Sequence, residues 1–153
     1  ARGGVENVAY PWGNEFSDVA GFPAEDNFVL LRVTSSDLPN IRFGYLLPHL
    51  VGSFKPNGFG LSNMGGNVSE WCEDFYDVNY YKHRPAESPR CGDPSSGQRV
   101  VRGGNYKSEV TVEGTAGQDV RYRGESVRVA RRDHCPPTFI SATVGFRLAM
   151  DAQ

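Results

Sequence analysis

A single domain built from short strands, frequent turns and long loops is what the sequence predicts, on three observations. The chain of 153 residues fits one domain, and 39% apolar with 22% charged residues is enough for a core and unlike a disordered chain. Glycine occurs 18 times and proline 10 times, which divides the chain into short elements. No stretch carries a convincing amphipathic helix longer than three turns, and no internal repeat is present.

Taken in order, Val5 to Gly13 reads as an opening loop ending in Tyr10-Pro11-Trp12-Gly13, where Pro11 fixes φ and Trp12 offers a large anchor. Gly21 to Asp26 is turn-like, and Asn27 to Leu31 is a short apolar run of strand type. Ser35 to Asn40 is a loop. Tyr45 to Val51 is apolar but interrupted by Pro48, which demotes it to an edge or irregular segment. Val78 to Gly97 is polar and broken by Pro85, Pro89 and Pro94, the pattern of a long surface excursion. Gln98 to Tyr106 reads as a strand running into a glycine bend. Arg128 to Arg132 alternates like a strand, and Ala142 to Met150 closes the chain as another with Gly145 inside it.

The segment from Lys55 to Asp77 holds glycines and asparagines beside large aromatic side chains. Asn57-Gly58 and Gly65-Gly66-Asn67 mark tight turns, because these residues tolerate positive φ. Asn63, Asn67, Glu70, Glu73, Asp74 and Asp77 supply oxygens that suit a hard cation, although the acidic alternation of an EF-hand is missing. Spacing alone leaves two readings open, a cation cradle and a turn whose acids face water.

Charge and cysteine usage bound the function. A formal net charge of −2 gives no nucleic-acid footprint, although basic residues gather between Arg121 and Arg132. The three cysteines, Cys72, Cys91 and Cys135, lack CxxC spacing, so neither a zinc cluster nor a redox dithiol is expected. One disulfide with a free thiol, or three reduced thiols, both fit. The sequence opens Ala1-Arg2-Gly3-Gly4 without an initiator methionine, a signal peptide or a membrane span, as a processed chain or a fragment would.

Seven ordered blocks then resemble the sulfatase-modifying-factor family, that of the formylglycine-generating enzyme. They are Ala1 to Gly4, Tyr10 to Asn14, Val51 to Leu61, Asn63 to Trp71, Arg99 to Tyr106, Arg128 to Arg132, and Gly145-Phe146-Arg147. The resemblance implies an α+β fold, a C-type-lectin-like variant with low regular secondary structure, short twisted strands and long loops. It also implies that residues 1 to 153 are the C-terminal portion of a larger domain, with a missing N-terminal segment or another chain as protein partner.

In that family the central stretch holds Ca²⁺. The ligands carried over are the Asn63 side chain, the Gly66 and Val68 carbonyls and the Glu70 carboxylate. A second family metal site would use Asn27 and the Phe28 carbonyl, but needs a carboxylate near position 43, where this chain has Phe43. The family's oxidase binds copper(I) between two cysteines and converts a substrate cysteine to formylglycine. The first of those cysteines falls on Ser108 and the second near Glu113, so no copper is expected and the oxidase chemistry should be absent, because soft thiolates select Cu(I). Cys135 beside His134 is a conceivable nucleophile pair, but a buried or disulfide-bonded cysteine is the reading preferred, and His49 and His83 have no recognisable partner.

The segment Lys107 to Val127 is longer than the family's usual connection. Arg121, Arg123, Asn105 and Tyr106 are therefore candidate partner or ligand contacts, whereas Arg128 and Arg132 are expected to pair with buried acids. The expectation drawn from the resemblance is a calcium-stabilised, non-catalytic module with a structural or protein-binding role, in a bacterial cell envelope rather than the cytoplasm. Two alternatives accompany it: an enzyme of the same family whose altered site is completed by other sequence, and lectin-like binding of a glycan or peptide.

Overall fold

The computed structural model describes residues 3–14, 32–33, 48, 50–52, 56–87, 89–113 and 121–149. Seven short strands form two sheets among these residues. The larger sheet has β2 (Ser69–Phe75) and β3 (Arg99–Arg102) at its centre, with β6 (Asp133–Cys135) beyond β3 and β7 (Val144–Gly145) beyond β2. β3 runs antiparallel to both of its neighbours, while β7 lies parallel to β2. The smaller sheet sets β1 (Arg32–Val33) parallel to β4 (Glu109–Glu113), which pairs antiparallel with β5 (Arg121–Arg123).

β3 organises the core because both of its faces are covered. Val100 and Val101 point to opposite sides of the pleat, and both are buried. Tyr10, Tyr80, Cys91, Tyr106 and Val127 are the other buried apolar residues among those described. β2 was not evident from the sequence as a strand. Its register shifts between Trp71 and Phe75, and this irregularity breaks the period-2 pattern that a strand would show.

Other expectations need correction. Arg128 to Arg132 is not a strand: the Arg131 N–H donates to the Arg128 carbonyl at 3.0 Å, closing a turn, and β6 begins only at Asp133. Of Ala142 to Met150, only Val144–Gly145 pairs as a strand. The excursion from Val78 to Gly97 contains a single-turn helix, α1 (Tyr80–His83), and a 3₁₀ turn at Pro94–Ser96. It is also stitched to β2, since Cys91 accepts the Phe75 N–H at 2.9 Å and donates its own N–H to Asp74 Oδ1 at 2.9 Å. Asn27 to Leu31 lies outside the described residues.

The opening loop packs where the central stretch needs a wall. Tyr10 and Trp12 stack with ring centroids 5.3 Å apart, and the Trp12 ring sits so close to Gly65 that a Cβ there would lie 3.0 Å from it. The Ala9 carbonyl accepts the Val129 N–H at 2.8 Å, which ties the loop to the turn before β6.

Candidate functional site

The turn from Asn63 to Asn67 enters β2 through three left-handed residues, Asn63 (φ 57), Gly66 (φ 75) and Asn67 (φ 62). Asn tolerates this region better than other side chains, which explains why Asn and Gly occupy these three positions. The turn is clamped from the β3 side: the Gly66 N–H donates to the Gly103 carbonyl at 2.7 Å, and the Tyr106 N–H donates to the Asn67 carbonyl at 2.9 Å.

Glu70, on β2, faces Arg147 just beyond β7. The Arg147 Nε donates to Glu70 Oε2 at 2.6 Å and its Nη2 donates to Oε1, a two-point carboxylate clamp. That hydrogen bond, opposed by partial burial, holds the guanidinium pKa above its already high ordinary value. The same Nη2 touches the Ser62 and Asn63 carbonyls at 3.3 Å, so one arginine joins the turn to the strand. Neither the Oδ1 nor the Nδ2 of Asn63 has a hydrogen-bond partner, although both are buried. Orphaned buried polar atoms of this kind are uncommon in native folds. Gly66 and Val68 lie between Asn63 and Glu70, as the expected ligand set requires. No cluster of three His, Cys, Asp or Glu side chains with metal-binding geometry occurs among the described residues, so an ion here would depend on amide and carbonyl oxygens beside the one Glu70 carboxylate.

A second feature surrounds Gly104. Its φ is +65, and a Cβ on it would lie 2.7 Å from Val127 Cγ1, 3.1 Å from Ser108 Oγ and 3.2 Å from the Ser126 carbonyl carbon. The Ser108 hydroxyl accepts the Asn105 N–H at 2.8 Å. The Ser126 hydroxyl is buried without a partner. Glu113 is at the far end of β4, roughly 16 Å along the strand from Ser108. The chain segment that returns beside Ser108 is Gly124–Val127, reached only after the β4–β5 hairpin. Sequence reasoning read the lengthened connection but not the hairpin inside it.

The remaining candidates divide. Asn105 spends its side chain within the fold, donating to Ser69 Oγ at 3.1 Å and accepting the Lys107 N–H at 2.9 Å. Tyr106, named with it as a candidate partner or ligand contact, is 4% exposed and belongs to the core. Arg121 and Arg123 form β5, but their side chains lie outside the described part of the structure, as do Asn27, Phe28, Phe43 and His49 entirely. Arg128 is 3.8 Å from Glu125, an exposed acid, and Arg132 donates to the Asp77 carbonyl at 3.0 Å. Among the described residues neither pairs with a buried acid as expected. His83 does have a partner, Asp77 Oδ2 at 3.4 Å.

All three cysteines are free. His134 and Cys135 are neighbours on β6 and so point to opposite faces, with the His134 ring tilted 31° against that of Tyr76, centroids 4.0 Å apart. Burial, reinforced by Asp133, raises the Cys135 pKa. Burial likewise raises that of Cys72, against the opposing pull of Arg102. Both groups are therefore neutral thiols at pH 7, and their alkylation in the native state is expected to stay slower than that of the unfolded chain until the pH passes the ordinary thiol range. The sign for stability follows: a raised thiol pKa contributes nothing adverse below the unfolded value, and stability falls as the pH climbs through the folded one. Mass-spectrometric alkylation rates from pH 7 upward check this, and fast labelling of either cysteine at neutral pH would contradict it.

A cavity of about 380 Å³ opens beside the Glu70–Arg147 pair, bounded by Met64, Trp71, Cys72, Arg102 and Val127. Close to it, Phe146 and Leu148 are 75% and 90% exposed. Among the described residues no helix is long and apolar enough to cross a membrane.

Residues 1–152 match the family model of the sulfatase-modifying factor enzyme 1-like domain. The formylglycine-generating enzyme of Streptomyces coelicolor is 33% identical over 99% of this chain and 43% of its own length. The serine/threonine-protein kinase pkn1 of Chlamydia pneumoniae is 31% identical over 97% of this chain and 19% of that protein. Among solved structures, Treponema denticola variable protein 1 superposes with a TM-score of 0.59 and 24% identity, covering 95% of this chain and 41% of that one. The fold is thus the expected α+β, C-type-lectin-like variant, and the chain spans less than half the length of these relatives.

Proposed function

The chain belongs to the sulfatase-modifying factor enzyme 1-like domain family, and on that premise we propose that it serves as a structural or protein-binding module of the family and not as its copper oxidase. One observation carries the reading. Where the resemblance calls for the first thiolate of a Cu(I) pair stands Ser108, its hydroxyl engaged by the Asn105 N–H, and the segment that returns beside it offers Ser126. Hydroxyl oxygen does not replace soft sulfur for this metal. Cys72 and Cys135 lie on β2 and β6, and Cys91 lies in the loop after α1.

A binding role draws support from the cavity beside Glu70, with Phe146 and Leu148 exposed on the chain segment whose Arg147 and Ala149 line it. The partner is a protein surface, supplied by another part of the same polypeptide or by another chain, and an envelope assembly is one setting for it. That a domain of this kind makes up 19% of a protein named as a kinase is consistent with modular use.

Ca²⁺ is the proposed stabilising ion, held by Asn63 Oδ1, the Gly66 and Val68 carbonyls and Glu70. The buried, unpartnered Asn63 oxygen supports this fit, because a cation would satisfy it. When bound, the ion would cross-link the turn to β2.

The test of the non-catalytic reading is an oxidation assay. The chain, loaded with copper(I) and supplied with oxygen and a Cys-x-Pro-x-Arg peptide, is expected to yield no formylglycine aldehyde by mass spectrometry. Turnover of that peptide would transfer the case to the oxidase alternative.

A further inference from the structure

A second cavity, of about 180 Å³, lies between α1 and the sheet, and three guanidinium groups line it: Arg84, Arg102 and Arg132. We propose that this cavity binds an oxyanion, a phosphate or sulfate group, either free or carried as an ester on a small molecule.

The charge balance of the cavity is the first argument. Arg102 donates through Nη1 to the Val129 and Arg131 carbonyls at 3.2 and 2.9 Å, and through Nη2 to the Tyr81 hydroxyl at 2.6 Å. Arg132 donates to the Asp77 carbonyl and lies 4.2 Å over the Tyr81 ring. Arg84 lies 5.6 Å from the same ring on its own account. These partners fix the arginines but carry no negative charge. Among the described residues none of the three is within salt-bridge distance of a carboxylate. Asp74 also lines the cavity, and its Oδ1 accepts the Cys91 N–H at 2.9 Å. Three cations against one acid leave the cavity positive, and an arginine held by neutral partners is preorganised for a two-point grip on an oxyanion.

The second argument is independent of charge. Tyr80, on the cavity wall, is 9% exposed, and its hydroxyl is buried with no hydrogen-bond partner. A buried donor left unpaired is costly, and an anion oxygen would recover that cost. The volume suits a tetrahedral oxyanion with a small substituent, and Tyr80 and Tyr81 give that substituent aromatic walls. It is too small for a folded partner or a polymer chain. The site is distinct from the calcium turn and from Ser108, so its test neither depends on nor decides the non-catalytic reading.

The test titrates the full chain with inorganic phosphate, sulfate and phenyl phosphate at constant ionic strength, with chloride as control, by calorimetry and thermal melting. Saturable binding of at least one oxyanion, with a rise in Tm that chloride does not give, is expected. Arg84→Gln, which removes a charge from an exposed side chain, should weaken binding roughly tenfold, the scale of a lost charge-assisted hydrogen bond. Tyr80→Phe should weaken it by roughly fivefold while leaving the anion-free Tm unchanged or higher, since only an unpartnered hydroxyl is removed. That pair of results separates an anion contact from a structural role. Binding of phenyl phosphate alone assigns the site to an esterified group, and equal binding of the inorganic anions assigns it to a free one. No saturable binding, or binding that both variants leave intact, overturns the proposal.

Discussion

Gly104→Ala is expected to destabilise the chain by about 2–4 kcal/mol, the sum of a left-handed backbone cost and an overpacking cost. The backbone part arises because φ is +65, where any Cβ is strained. The packing part arises because the new methyl would stand 2.7 Å from Val127 Cγ1 and 3.2 Å from the Ser126 backbone, neither of which is the loose end of a flexible chain. Val127 is 1% exposed and cannot turn outward. Val127→Ala alone should cost roughly 2 kcal/mol as a large-to-small core change. The double variant Gly104→Ala with Val127→Ala should be less destabilised than the sum of the two by about 1 kcal/mol, because the second change removes the atom with which the first collides. Urea midpoints of the four proteins measure the coupling. Strict additivity would mean that Gly104 is needed for its conformation alone and not for the close approach of Gly124–Val127. The consequence reaches the turn, since the segment after Gly104 supplies the Tyr106 N–H that holds the Asn67 carbonyl.

How legible this arrangement is in the sequence depends on which physical signal each part leaves. The left-handed turn before β2 is legible, because Asn63, Gly66 and Asn67 are residue types that tolerate positive φ and stand close together. The strand and glycine bend at Arg99 to Tyr106 are legible for the same reason. β2 is not, because the irregular pairing between Trp71 and Phe75 removes the alternation on which a strand is recognised. Arg128 to Arg132 misleads in the opposite sense, since its alternation belongs to a turn in which Arg128 reaches Glu125, Arg131 reaches Asp133 and Arg132 reaches the Asp77 carbonyl and the Tyr81 ring. The surroundings of Ser108 could not be read locally at all. The segment that returns to it is separated by a whole hairpin, and the length of an insertion says nothing about where its ends meet. The arginine-lined cavity is likewise assembled from β2, α1, β3 and the turn before β6, so no contiguous motif announces it.

Calcium gives the other large effect expected. If Ca²⁺ binds only the native chain, a concentration 100-fold above Kd adds about 2.7 kcal/mol of stability. For a chain of this length that corresponds to a rise of roughly 5–10 °C in Tm, lost again on chelation. The variants separate the contributions. Asn63→Ala removes the buried amide whose two polar atoms have no partner, so the calcium-induced rise should disappear, while the calcium-free Tm falls only by the cost of holding alanine at φ 57. Glu70→Gln should behave differently, lowering Tm with and without calcium, because it weakens the clamp to Arg147 that ties the turn to β2 whatever else is bound. Arg147 occupies one lone pair on each Glu70 oxygen, which leaves the carboxylate able to meet a cation as well, in the shared manner open to a group with about four acceptor positions. The guanidinium also repels the ion, so removing it with Arg147→Gln should tighten calcium binding even as it lowers calcium-free stability. A calcium response that survives Asn63→Ala, or one absent from the unaltered chain, would return the turn to the simpler role of a left-handed bend braced by Arg147 alone.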